Sequence, residues 1–247
     1  MRDTLLTKLE HFAQLSTADR RVLATLAQQR VHHFGPHEDI MREGESPAFM
    51  NLVRDGWACR YKTLEDGRRQ IMAFLLPGDI CDLDAFLTHE TDHSIAAITP
   101  VTLAQINRDE FDELSGSHPH ILEALRWASM VDGAIQREWT VNLGQRDASE
   151  RLAHLLCELF VRLETAGLTE GDACDFPLTQ SELGEATGLS TVHVNRTLRE
   201  LRDAGLIVLK DRTLRIPDIA SLKRHAMFNA NYLHLDRERR DFSADLH

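Results

Sequence analysis

The side chains best suited to chemistry lie between Thr179 and Leu201. Thr179 and Glu182 stand three residues apart, the spacing at which a hydroxyl and a carboxylate close a helix N-terminus reciprocally. Gly188 then permits the tight bend between two short helices. Leu183 and Ala186 turn inward, Leu189 packs under the bend and Ser190 caps a second helix. In that helix Val194, Leu198 and Leu201 recur at i, i+4 and i+7 and form its buried face. The other faces carry Thr191, His193, Asn195, Arg196, Arg199 and Arg202. A guanidinium such as Arg196 can take guanine through two parallel donors, and Asn195 can meet adenine or a phosphate. Thr179 and Ser190 sit at helix N-termini, where hydroxyls and backbone N–H groups hold phosphate. The pattern is that of a helix-turn-helix reading duplex DNA in the major groove. The competing reading is a plain helical hairpin with a solvated basic face.

Other reactive residue types are present without a matching pattern. Cys59, Cys81, Cys157 and Cys174 form no CxxC pair, so neither a zinc knuckle nor a disulfide framework is expected, and idle thiols in a reducing cytoplasm are the reading. His32, His33, His37, His89 and His93 keep a heme or metal site open. They lack the HxH spacing that a cupin-like metalloenzyme needs, and no metal ligand is assigned. The net charge of −11 argues at first against a nucleic-acid partner. Residues 178–215, however, carry six bases against five acids, a local net of +1. Phosphate attraction depends on potential within about 10 Å, the Debye length, so a locally basic helix on an acidic body still binds DNA.

Several elements must position these groups. Leu5, Leu6, Leu9 and Phe12, then Val22, Leu23 and Leu26 behind a Ser16 cap, predict two short helices. From Val31 to Gln105 short β-rich stretches alternate with turn signals, and Asp66-Gly67 marks a hairpin. These stretches are Met50–Val53, Trp57–Thr63, Gln70–Leu75, Ser94–Ile98 and Thr102–Ile106, an antiparallel sandwich or roll. Arg108 to Phe111 restart helix. Past Pro119 a long helix carries Ile121, Leu125, Ala128, Ile135 and Trp139 in one stripe that includes Asp132 and Asn142, with Trp127, Met130, Ala134 and Val141 beside it. Two apolar faces must be covered on both sides. One is expected on the β-roll and the stripe on a second subunit, coiled-coil fashion; burial within one protomer stays open. Gly144 to Asp147 is read as a hinge and Arg151–Leu163 as an amphipathic helix. A hairpin has Arg212-Thr213 at its tip, and Pro217 opens a terminal helix at its first position. The last ten residues are charged and expected to fray. The domains are therefore 1–117, 118–146, 147–216 and 217–247. The fold class is α+β. The N-terminus does not read as a secretory signal and no run approaches the ~20 apolar residues of a membrane span, so the protein is expected in the cytoplasm, away from membranes.

The order of helices, β-roll, long helix and winged helix-turn-helix resembles the cyclic-AMP receptor protein and fumarate–nitrate-reduction regulator (Crp/Fnr) superfamily from about residue 15 to 216. Leu76-Pro77-Gly78-Asp79-Ile80, Cys81 to Phe86, and Leu178 to Ile207 carry the resemblance. It implies a cyclic-nucleotide-binding-like β-roll, a homodimer on a palindromic site, contact with RNA polymerase through the loop Thr169–Phe176, and an activator or dual regulator. It also implies an effector pocket between β-roll and long helix, on Asp82, Leu83, His93, Ser94, Gln136 and Arg137. Cyclic-nucleotide binders in the family have Gly-Glu-Leu and later Arg-Ser-Ala; here stand Cys81-Asp82-Leu83 and His93-Ser94-Ile95, with one extra residue between them. Loss of the arginine fork argues against cyclic AMP and leaves the effector unknown. No cysteine precedes Cys59, so no iron–sulfur cluster is expected. In the reading helix the family's usual glutamate falls at Val192, which joins the DNA-contact set, so the family's common half-site is not assumed.

Overall fold

The structure is a computed structural model that describes residues 4–83, 86–87 and 89–235. Asp84 and Ala85 of the resemblance motif, and the charged last ten residues, lie outside the described residues. Two helices, α1 (Thr4–Leu9) and α2 (Thr17–Leu26), lead into the β-roll. Ser16 and Asp19 close a capping box on α2, as the Ser16 signal implied.

The roll consists of β1 (Val31–Phe34), β2 (Asp39–Met41), β3 (Met50–Asp55), β4 (Ala58–Thr63), β5 (Arg69–Leu75), β6 (Ser94–Ala97) and β7 (Val101–Ile106). They form two antiparallel sheets, ordered β1-β7-β3 and β2-β6-β4-β5. The expected hairpin joins β4 to β5, and Gly67 takes φ 83°, which favours glycine. The strands β1 and β2 lack an apolar alternation of their own. They are fixed by pairing with β7 and β6.

Helices α3 (Arg108–Ser117), α4 (Pro119–Gln145) and α5 (Ala148–Thr165) follow. Then come β8 (Thr169–Glu170), β9 (Ala173–Asp175), α6 (Gln180–Thr187), α7 (Thr191–Asp203), β10 (Val208–Lys210), β11 (Thr213–Arg215) and α8 (Ile219–His225). The last strands make a third sheet, β10-β11-β9-β8. The wing turns at Asp211–Arg212, both at positive φ, one residue before the expected tip. Pro217 is not the first residue of α8: Asp218 caps that helix, accepting from Ala220 and Ser221 N–H. An Asx cap satisfies two free donors, which a proline start cannot do.

Helix α5 departs most from its amphipathic reading. Its Leu152, Leu155, Leu156, Leu159 and Phe160 are buried as expected, but so are His154, Cys157 and Glu158. The reason is its central position, packed by α4, α6, α7 and α8. Each fully buried leucine contributes roughly 1.5–3 kcal/mol. One cluster runs continuously from Trp57 and Phe74 of the roll through α4 and α5 to Leu198 of α7, so the β-roll and the C-terminal helices share a core. Trp57 meets Phe176 edge-on at 6.1 Å and Phe74 meets Trp139 at 6.0 Å.

Candidate nucleic-acid interface and effector pocket

The helix-turn-helix is built by local bonds. Thr179 Oγ1 accepts from Glu182 N–H, while Glu182 Oε2 accepts from Thr179 N–H at 2.7 Å and from its hydroxyl at 2.8 Å. The Thr179 hydroxyl proton is therefore already placed on Glu182, and what the α6 N-terminus offers a phosphate is backbone N–H. Gly188 ends α6 at φ 67°. Leu189 O lies 2.5 Å from where a Cβ at Gly184 would stand, so the turn between the two helices folds back on α6 at a distance only glycine tolerates. Ser190 Oγ accepts from His193 N–H at 3.3 Å and opens α7.

On α7, Val194, Thr197, Leu198 and Leu201 are buried. Thr191, Val192, Arg196 and Arg199 are exposed, and His193 and Asn195 are half-buried. The Asn195 amide donates to Gln180 Oε1 at 3.2 Å, which orients it from the neighbouring helix. Arg196 Nε stands 3.8 Å from Glu200 Oε1, an exposed pair that is easily given up to a stronger acceptor. Val192 is 79% exposed, a large apolar side chain in water at the start of the helix.

The effector residues separate into two groups. Asp82, Leu83 and His93 line a cavity of about 350 Å³ between the roll and α4. Ser94, Gln136 and Arg137 do not line it. Ser94 is spent in β6, where its hydroxyl accepts from Glu43 N–H. Gln136 donates to Met72 O at 2.8 Å, and Arg137 is exposed beside Asn231 and His234. The cation in the cavity wall is one the sequence reading missed. Arg60 reaches in from β4, donating to Asp132 Oδ2 at 2.9 Å and to Cys81 O at 2.7 Å. Burial works against its charge, but Asp132 and Asp82 together outweigh it and raise its pKa. With Asp82, Glu90, Asp92 and Asp132 around it, the wall is acid-rich. His93 Nδ1 lies 2.7 Å from Asp92 Oδ1.

The proposed dimer stripe is a correction. Ile121, Leu125, Ile135 and Trp139 are buried within the chain itself, and Ala128 is half-buried against a cavity. Ile121 and Leu125 pack with α1 and α2, and Ile135 and Trp139 with the roll and α5. Asp132 is in the stripe because it holds Arg60. Part of the neighbouring face is covered by the segment after α8: His234 stacks edge-on against Trp127 at 5.8 Å.

A buried charge chain crosses all these parts. Lys8 Nζ donates to Asp79 Oδ1 at 2.7 Å, Arg162 donates to Asp79 Oδ2 at 2.9 Å, and Arg162 also reaches Glu158 Oε1 at 3.3 Å. Glu158 is completed by Trp139 Nε1 and Tyr232 OH, each at 3.0 Å. Burial pushes the Glu158 carboxyl up and the Lys8 ammonium down. Of the four charged members of this buried network, only Asp79 falls in a motif that the sequence singles out, the turn Leu76–Ile80. His154 lies beside the chain, wholly buried and stacked on Tyr232, with its pKa lowered to about 3 by burial. Further contacts lock α6 to β5: Arg69 to Glu185 at 3.7 Å and Gln70 Nε2 to Ala186 O at 3.4 Å.

His32, His33 and His37 are exposed, and among the described residues no group of three or more His, Cys, Asp or Glu could hold a metal ion. All four thiols are buried and pushed up to about 12. No helix of the described residues is long and apolar enough to cross a membrane.

Comparison with known proteins agrees with this architecture. Residues 31–118 match the cyclic nucleotide-binding domain and residues 150–225 the Crp-like helix-turn-helix domain. The chain belongs to the Crp/Fnr superfamily. This Crp/Fnr protein is 29% identical to the transcriptional activator protein FnrL of Cereibacter sphaeroides, over 88% of this chain and 89% of FnrL. It is 29% identical to the nitrogen fixation regulation protein FixK of Bradyrhizobium diazoefficiens, over 72% and 73%. Among solved structures, FixK2 of Bradyrhizobium japonicum superposes with a TM-score of 0.71 at 24% identity, covering 81% of this chain and 98% of FixK2. The family's work is DNA-binding transcription regulation rather than enzymatic turnover, which removes the cupin-like alternative. The Crp/Fnr protein is thus a DNA-binding transcription regulator.

Proposed function

We propose that this regulator works as a homodimer that places two copies of α7 in successive major grooves of a palindromic operator. The observation that carries the reading is the outer face of α7, where Thr191, Val192, Asn195, Arg196 and Arg199 are presented together on a capped helix with an apolar inner face. Arg196 takes a guanine and the Gln180-oriented amide of Asn195 takes an adenine or phosphate. Val192 reads a thymine methyl where the family's glutamate accepts from cytosine. His193 and Ser190 flank the phosphates.

The subunits pair along the face of α4 that remains open. Arg126, Met130, Gly133, Arg137, Thr140 and Gly144 follow a 4-3-4-3-4 spacing, and a Cβ at Gly133 would meet only the tip of Arg137. The names of FnrL and its relatives favour an activator. Within Thr169–Phe176, Glu170, Gly171 and Asp175 are exposed and are the part offered to RNA polymerase, whereas Phe176 is buried. The effector is not cyclic AMP. The arginine in the cavity is already engaged by Asp132, and carboxylates surround it.

Selection of bound duplexes from a random pool, followed by footprinting, tests the reading. The expected site is two-fold symmetric, with half-sites about one helical turn (10–10.5 base pairs) apart or a multiple of it. Protection of one unrepeated half-site by a monomer would overturn it.

A further inference from the structure

A second cavity lies across the wall formed by Ile80, Leu83 and Asp132 from the pocket described above. It measures about 100 Å³. Helix α1 supplies Lys8, the turn after it supplies Phe12, α4 supplies Val131 and Ile135, and the segment after α8 supplies Leu233. Arg162 of α5 and Asp79 of the roll also reach it, so one small volume touches α1, the roll, the long helix, the DNA-binding half and the C-terminal segment.

Its walls are largely apolar, with a polar end at Lys8. That side chain is 12% exposed. An ammonium has three donors. One goes to Asp79 Oδ1 at 2.7 Å, and among the described residues no other acceptor takes the remaining two. Asp79 cannot serve Lys8 alone, because it also accepts from Arg162 and from Leu76 N–H. Asp79 is therefore divided between Lys8 and Arg162 at the cavity's edge; Arg162 has Glu158 as a second carboxylate partner, whereas Lys8 has Asp79 alone among the described residues. Desolvation is the main influence on Lys8 and lowers its pKa, as expected of an ammonium short of acceptors. Asp132, which also lines the cavity, is spent on Arg60.

We propose that this cavity binds a small monocarboxylate, its carboxylate accepting the two spare N–H groups of Lys8 and its tail lying against Phe12, Val131 and Ile135. An apolar cavity of about 150 Å³ holds benzene, so the tail is roughly four carbons long. A dianion would leave one charge unpaired beside Asp79, and an alcohol would forgo the charge-assisted bond. Because the ligand contacts both halves at once, its occupancy stabilises the closed packing of the DNA-binding half on the roll. This consequence rests on the regulatory reading above, whereas the binding itself does not.

The probe is pentanoate, with 1-pentanol as the neutral match and sodium chloride at equal ionic strength as the blank, read by thermal unfolding of the full chain. Pentanoate at ten times its Kd is expected to raise Tm by roughly 3–6 °C, with saturation. Pentanol should do much less. Lys8→Met should lose the pentanoate response, and Ala128→Leu, which fills the cavity from α4, should lose it with Lys8 intact. A flat pentanoate titration, a pentanol response equal to that of pentanoate, or a wild-type response in Ala128→Leu would each overturn the site. Operator affinity measured with and without pentanoate tests the coupling separately. Binding without a change in affinity keeps the site and removes the regulatory consequence.

Discussion

Helix α7 and the cavity between the roll and α4 carry comparable numbers of polar side chains but use them in opposite ways. On α7 the groups proposed to read bases are exposed or half-exposed, and their internal bonds are weak or orienting, such as Asn195 to Gln180 and Arg196 to Glu200. In the pocket the cation is consumed: Arg60 is bound by Asp132 and Cys81 O. A surface built to meet a partner keeps its donors free, whereas one that holds a fold together spends them. The retained cyclic nucleotide-binding architecture at residues 31–118 therefore acts here as a junction, with α4 and α5 clamped to it.

The largest test breaks the clamp. Arg162→Met leaves Asp79 and Glu158 buried without their shared partner and is expected to cost about 3–5 kcal/mol in denaturant unfolding. A cost below ~1 kcal/mol would show that the charge chain is incidental. On the reading side, Arg196→Ala should weaken binding to the selected operator by ~1–3 kcal/mol and relax specificity at one position, with Tm unchanged. Unchanged specificity in a gel-shift series would remove its base-reading role.

His154 sharpens the contrast through pH. Its pKa is held at about 3 by burial, below the ordinary value of 6.5. A lowered folded-state value means that the unfolded chain takes up the proton first. Stability from this group is therefore complete above pH 6.5 and is lost progressively as pH falls toward 3. At pH 5.5 the loss is about 1.4 kcal/mol, and His154→Leu should not show it. Parallel pH profiles for the two proteins would contradict the assignment.

The smallest effect is at Val192. Replacing the contacted thymine by deoxyuridine removes a single methyl and should cost about 0.8 kcal/mol, a penalty that Val192→Ala reduces. If no thymine in the operator shows this sensitivity, Val192 is only a spacer. Cyclic AMP, finally, should leave Tm and operator affinity where they were; saturable stabilisation at micromolar ligand would reverse the account of the pocket.

What could be read directly from the sequence was local. The Thr179 cap, the Gly188 bend, the Ser190 cap and the inward Val194-Leu198-Leu201 face depend on residues within about two helical turns of each other, so type and spacing determine them. The Asp66-Gly67 hairpin was legible for the same reason. The sequence also showed that α4 has two apolar faces, but not which neighbour covers each. Only the tertiary structure decided that Ile121, Leu125, Ile135 and Trp139 are consumed within one protomer. It alone brought Lys8 to Asp79 across 71 residues, Arg162 to Asp79 across 83 and Arg60 to Asp132 across 72. Such pairs leave no periodicity in the chain. A charged residue looks the same in sequence whether it is solvated or buried against a partner, and the difference arises from desolvation, which exists only after the chain has packed.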